Sequence, residues 1–316
     1  MTVDQLVQAS IYAMARRDPN GADFFAVTGG VDAMYPLYWK DIVEYYSAKH
    51  FKWVDGEDVA DYAGPGVIEL ALSPSQMNAA AQAAPTTSPD ALMVMDRSKY
   101  WPQFTRVVQE INAKDDVTLF SLCEATGHCG TRFAWAIVGD ANVASDMWRF
   151  VSKINMHTPR DVQLRVSIVL DIVLARMRTD TCMFRAAAAQ MAARWTRLEA
   201  LFASSPSGPL KLMGRPEGTT PAYATLTCDA AGTSFTPTEE DIAALLGSNG
   251  FAASANTLPM RGCGAYLLYR AGVFAHDNTD TKCAKGDYSH AFLDLTMREE
   301  DFDLLLSRLD SSIADM

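Results

Sequence analysis

Five short apolar runs, at residues 24–27, 67–72, 91–95, 117–122 and 133–138, divide the first half of this chain. Each is separated from the next by a helical stretch or a long loop. Consecutive strands so spaced pair mostly in parallel, in a sheet covered on both faces. A helix is expected over residues 3–17, with Leu6, Val7, Ile11 and Met14 on one side, before the turn Asp18-Pro19-Asn20-Gly21. A second is expected over residues 35–49, and residues 161–202 read as one or two long helices. Residues 204–209, Ser-Ser-Pro-Ser-Gly-Pro, read as a linker, giving an α/β domain over residues 1–205 and a small α+β domain over residues 206–316. In the second domain, strands are expected at residues 223–228, 265–269 and 291–295. Thr236 with Pro237 and Glu239 starts one helix that stops at Gly247, and Thr296 with Glu299 caps a helix over residues 302–309.

Charge excludes several classes. Lys and Arg number 27 against 38 Asp and Glu, a net charge of −11, so the chain lacks the basic footprint that coats nucleic acid or an anionic membrane. Its most hydrophobic stretch, residues 162–174, is interrupted by Arg165 and Asp171, so no direct membrane insertion is expected. The first residues lack the order of a secretion signal. The 6 cysteines are few and scattered, which speaks for a reducing intracellular compartment rather than a disulfide scaffold. Neither Cys123, His128 and Cys129 nor Cys263, His276, Cys283 and His290 has a usual zinc spacing, so no metal is expected. A nucleophile–base set of Cys123, His128 and Cys129 is a weak third reading, because a thiol beside Glu124 ionises reluctantly.

Residues 118–170 narrow the reading. Thr126-Gly127-His128, Gly130, Arg132, Trp135-Ala136 and Gln163-x-Arg165 fall in order after an apolar run. This segment resembles the alliinase and plant tryptophan-aminotransferase group of fold-type I pyridoxal-phosphate enzymes, whose pattern there is S-K-x-T-G-H-x-G-x-R-x-G-W-A. Asp96-Arg97-Ser98-Lys99-Tyr100-Trp101-Pro102 is similar to the group's D-x-A-Y-Y-W-P. Ile68-Glu69 through Ser73-Pro74 resembles I-E-x-x-x-S-P, and Met34-Tyr35-x-x-Tyr38 resembles F-Y-x-x-Y. The resemblance implies a fold-type I large domain with a small C-terminal domain. It places Gln5 just after the group's phosphate-binding turn, so the N-terminal segment that precedes this point in the group is expected to be missing.

The same resemblance assigns site positions. Tyr35 would stack on the cofactor ring, Asp96 would pair with its nitrogen and Arg132 would hold its phosphate. Gln76 stands for the group's asparagine and Lys99 for the tyrosine that meets the ring's phenolic oxygen. Glu124 falls where the group keeps its lysine, and a carboxylate cannot condense with an aldehyde. The arginine expected near Phe292 for a substrate carboxylate is absent, Arg298 being nearest. Lys99 and Glu124 should then be neighbours, forming an ion pair of near-zero net stability. The expectation is a catalytically degenerate protein with vestigial cofactor residues and no cofactor. It would serve as a scaffold or accessory subunit, with protein partners or a homodimer. The alternative is a pyridoxal-phosphate aminotransferase or carbon–sulfur lyase using Lys99 as a relocated lysine.

Overall fold

A computed structural model describes residues 2–17, 22–26, 39, 51–54, 67–74, 92–106, 117–154, 158–177, 179, 182–204, 210–228, 273–275, 289–296 and 298–314. The chain divides into two compact units, Met1–Ala188 and Ala189–Met316. Tyr35, Gln76, Cys263, His276, Cys283, the helix expected after Thr236 and the strand expected at residues 265–269 lie outside the described residues; of the helix expected at 35–49, Trp39 alone is described.

The first unit opens with α1 (Val3–Ala15), fixed at its start by a reciprocal cap. The Gln5 N–H donates to the Thr2 hydroxyl, and the Gln5 side chain accepts from the Thr2 N–H. Leu6, Val7, Ile11 and Met14, the residues the periodicity puts on one side, are all buried. They share an apolar cluster with Val117 and Leu119 and with Val143, Met147 and Val151 of α3 (Ala141–Ile154). Full burial of such side chains contributes about 2 kcal/mol each, so this face holds the first helix to the body of the unit.

The sheet comprises β1 (Ala22–Ala26), β2 (Phe51–Val54), β3 (Ile68–Leu72), β4 (Leu92–Asp96), β5 (Val117–Ser121) and β6 (Ala134–Val138), in the order β2-β1-β3-β4-β5-β6. The first five strands run parallel, and β6 is antiparallel to β5. Every residue of β3 and β5 is buried, as parallel strands covered on both faces require. The chain steps outward from β1 to β2 and then returns to the other side of β1, so the crossover direction reverses there. In open sheets of this kind, ligands bind beyond the carboxyl ends of the strands. Those ends are Leu72, Asp96 and Ser121 for the central strands.

Beyond the sheet come α4 (Arg160–Met177) and α5 (Met183–Ser204); α5 runs across the division between the units, and the Ser-Pro-Gly linker follows its end. The second unit holds an antiparallel sheet, β7 (Leu210–Leu212), β8 (Tyr223–Cys228), β9 (Val273–Ala275) and β10 (Ser289–Asp294), in the order β7-β8-β10-β9. Its last helix, α6 (Glu299–Ala314), starts at the glutamate expected inside the cap and runs past the expected end at Leu309. Buried Arg194 explains that start. Its Nε and Nη2 both donate to Glu299 Oε2, at 3.0 and 2.7 Å, and its Nη1 donates to the Leu295 carbonyl. The guanidinium groups of Arg194 and Arg197 lie 5.2 and 5.0 Å from the centre of the fully buried Phe302 ring. Trp195 donates its indole N–H to the Pro221 carbonyl at 2.9 Å. Arg298, the cation nearest the strand that carries Phe292, is exposed and paired with Glu300 and Asp301.

Candidate functional site

β4 ends in Asp96, whose side chain is completely buried. The Ser98 N–H donates to its Oδ1 at 2.8 Å, while Oδ2 is buried and has no hydrogen-bond partner among the described residues. Burial pushes the carboxyl up from its ordinary 3.8 to about 6; the nearby Glu124 charge adds to this, and the Ser98 hydrogen bonds and Lys99 oppose it. The chain leaves β4 through a turn in which the Tyr100 N–H reaches the Arg97 carbonyl and the Trp101 indole N–H reaches the Ser98 carbonyl, at 3.0 and 2.8 Å. Trp101 packs against Phe120, Trp135 and Phe184. This anchor sets the position of Lys99.

β5 runs without a break into the one-turn helix α2 (Leu122–Thr126). The Ser121 hydroxyl accepts from the Cys123 N–H at 3.1 Å, capping the turn. Gly127 closes it with φ +75°, a left-handed conformation that costs glycine nothing. Glu124 lies on this turn, and its Oε1 is 3.7 Å from the Lys99 ammonium, with 20% and 13% of the respective side chains exposed. The neighbour relation expected from the sequence is thus present, in a setting largely withdrawn from water. Glu124 Oε2 is also buried without a partner among the described residues. Gln103 ties the two loops together: its amide donates to the carbonyls of Glu124 and Ala125 at 2.8 and 3.3 Å. Sequence reasoning misses Gln103, because an amide that holds backbone carbonyls leaves no pattern along the chain.

Cys123 and Cys129 form a disulfide across the left-handed turn, with their Cα atoms 4.0 Å apart. This corrects the expectation of unpaired cysteines, so the cysteine count no longer speaks for a reducing compartment, and it removes Cys123 as a free nucleophile. The signal is available as two cysteines six apart around Thr-Gly, a spacing that one tight turn closes. His128 Nδ1 lies 3.0 Å from the Thr126 hydroxyl. Arg132 ends the 3-10 turn Cys129–Thr131 in a left-handed conformation, φ 52°, with its side chain exposed. The structure therefore brings Asp96, Lys99 and Glu124 together at the rim.

A parallel sheet with one antiparallel edge strand and a buried carboxylate at its carboxyl rim is an α/β architecture, and its solved neighbours are aminotransferases. The chain is similar to the methionine aminotransferase YbdL from Escherichia coli (TM-score 0.65, 11% identity, 98% of this chain and 75% of that one). It is similar also to an aspartate aminotransferase from Rhizobium meliloti (TM-score 0.62, 14% identity, 99% and 75%). The family profile described as Allinase matches residues 1–256, and the chain belongs to the alliinase family.

Tryptophan aminotransferase-related protein 1 of Oryza sativa subsp. japonica is 29% identical over 211 residues, covering 64% of this chain and 46% of the relative. Alliin lyase 1 of Allium sativum is 28% identical over 148 residues, covering 46% and 29%. The chain thus spans about half the length, or less, of the curated relatives it matches. Membership corrects one expectation outright. Alliin lyases and aminotransferases are pyridoxal-phosphate proteins, so pyridoxal phosphate, rather than no cofactor, is what this family points to. At the rim, Asp96 Oδ2 is a buried acceptor with no partner among the described residues. No helix among the described residues is long and apolar enough to cross a membrane.

Proposed function

We propose that this chain is a catalytically degenerate member of the alliinase family, keeping a place for the family's B6 phosphate but offering no amine at residue 124. The Lys99–Glu124 contact at 3.7 Å carries this reading. Glu124 follows the strand at which the family's lysine is expected, and its carboxylate is already engaged by a cation.

The residues fit the noncovalent part of the cofactor. Asp96 Oδ2, buried and open, would accept a protonated ring nitrogen. Arg132 would face the phosphate, and Tyr35 and Gln76 would complete the contacts. When bound, the group supplies an electron-withdrawing ring for amino-acid chemistry. This chain's residues orient it through Asp96 and exclude the covalent tether through Glu124. The degenerate chain would act through protein contacts, as an accessory subunit or a homodimer. Leu164, Ile168, Ile172 and Leu174 of α4 are exposed, an unusual density of apolar side chains for a face turned to water.

Incubation with pyridoxal 5′-phosphate, then borohydride and intact-mass analysis, tests the reading beside turnover assays with tryptophan and with a cysteine sulfoxide. The expected result is no fixed adduct and no turnover; a fixed adduct with turnover refutes it. Sedimentation at micromolar concentration tests the contact face, and a strict monomer refutes that part. The second reading, an aminotransferase or lyase built on Lys99, draws support from its ammonium reaching the side chain of residue 124. A borohydride-fixed mass at Lys99, lost in K99R, decides for it.

A further inference from the structure

We infer that the rim selects the amine form of the B6 phosphates, pyridoxamine 5′-phosphate, over the aldehyde form, and that Glu124 is the discriminating residue. Resting on the reading that residue 124 stands where the family keeps its lysine, the selection adds a ligand preference to it. Two carboxylate oxygens on this rim, Asp96 Oδ2 and Glu124 Oε2, are buried with no hydrogen-bond partner among the described residues. A buried acceptor without a donor destabilises the site that holds it, so each oxygen favours a ligand bringing a donor. Asp96 already spends its other oxygen on the Ser98 N–H at 2.8 Å. Glu124 spends its other oxygen on Lys99 at 3.7 Å, near the outer limit for a direct ion pair, so the carboxylate keeps unused capacity.

A ligand suited to both must carry donors at two points: a ring N–H for Asp96 and a second donor for Glu124. An alkylammonium supplies the second, as a charge-assisted hydrogen bond within a largely dry site. An aldehyde offers only an acceptor oxygen there, which would face the carboxylate acceptor to acceptor. Lys99 is the group that competes for the aldehyde, and its own contact with Glu124 holds it back.

Calorimetric titration of the oxidised chain compares three probes: pyridoxamine 5′-phosphate, pyridoxal 5′-phosphate and 4-deoxypyridoxine 5′-phosphate, which has neither amine nor aldehyde. Each sample is then treated with borohydride and weighed. The expected result is pyridoxamine phosphate binding at least about tenfold more tightly than either other probe, the ratio one charge-assisted hydrogen bond supplies, with no fixed adduct. E124Q is expected to bring the affinities of pyridoxamine 5′-phosphate and the deoxy probe together, since neither can condense with the Lys99 that the change releases. Equal affinities, tighter noncovalent binding of the aldehyde, or no measurable binding of the amine each overturn the selection and leave the degenerate reading standing. A fixed adduct on Lys99 with turnover overturns the degenerate reading instead. The deoxy probe on the unaltered chain keeps the comparison decisive if E124Q fails to fold.

Discussion

Replacing Asp96 by asparagine should change how stability depends on pH. The carboxyl is wholly buried and holds its proton up to about pH 6, against 3.8 when free. The folded chain therefore binds the proton more tightly than the unfolded one, so this group's contribution is fully present below about pH 4 and is lost as pH rises to about 6. The loss amounts to about 3 kcal/mol, from 1.36 kcal/mol per pH unit of displacement. An asparagine in its place would keep the acceptor for the Ser98 N–H and carry no charge. Relative to the unaltered chain, D96N should therefore gain roughly 2.5 kcal/mol of stability between pH 4 and pH 7.5, because the unfolded carboxyl is already partly ionised at pH 4. Urea unfolding followed by tryptophan fluorescence at both pH values measures this. Subtraction cancels the titration of groups remote from Asp96; Glu124 and Lys99, which face it, are checked by repeating the series in E124Q. A D96N difference that stays constant across the range would refute the idea that a buried, undercompensated carboxyl sits at the end of β4.

A double-mutant cycle on K99M and E124L should give a coupling of about 1–2 kcal/mol, with the double variant near the unaltered stability, because the pair's attraction and desolvation nearly cancel; purely additive effects in chemical denaturation would count against a formed pair. C123S and C129S should each lose about 2 kcal/mol, the chain-entropy value for so short a loop, and reduction should make Cys123 and Cys129 reactive to alkylation, as mapped by peptide mass. W195F leaves the Pro221 carbonyl without its donor and removes ring area from a buried site, so a loss of about 2 kcal/mol is expected in thermal unfolding. For Glu299, Arg194 holds the carboxyl below its usual range, so its contribution should be present at neutral pH, vanish as pH falls through that depressed value, and be absent in E299Q across an acid titration.

The large sheet is legible in the sequence because its central strands are continuous apolar runs, and periodicity alone picks out the buried side of α1. β2 is not, because Phe51-Lys52-Trp53-Val54 is a four-residue strand at the sheet edge that alternates with a lysine. The antiparallel sense of β6 depends on the turn through Gly127 and Arg132, whose left-handed conformations no apolar pattern reports. Lys99 and Glu124 can be foreseen as neighbours because the resemblance assigns both positions to one spot, and the structure places them 3.7 Å apart. Asp96 is named by the sequence, while its complete burial and unpartnered oxygen arise only from the packing of strands around it. The α6 start is misjudged because Glu299 reads as a capping residue until Arg194, more than 100 residues earlier, is seen to claim it.

The Cys123–Cys129 link encloses Glu124 within a covalent ring, with Gly127 at its tip. Buffers containing dithiothreitol would open that ring and leave the turn to backbone contacts such as the Gly127 N–H on the Cys123 carbonyl, at 2.6 Å. Preparations handled with and without thiol reagents would then present two differently tethered rims to the same small molecule. Affinities taken from the one cannot be carried over to the other.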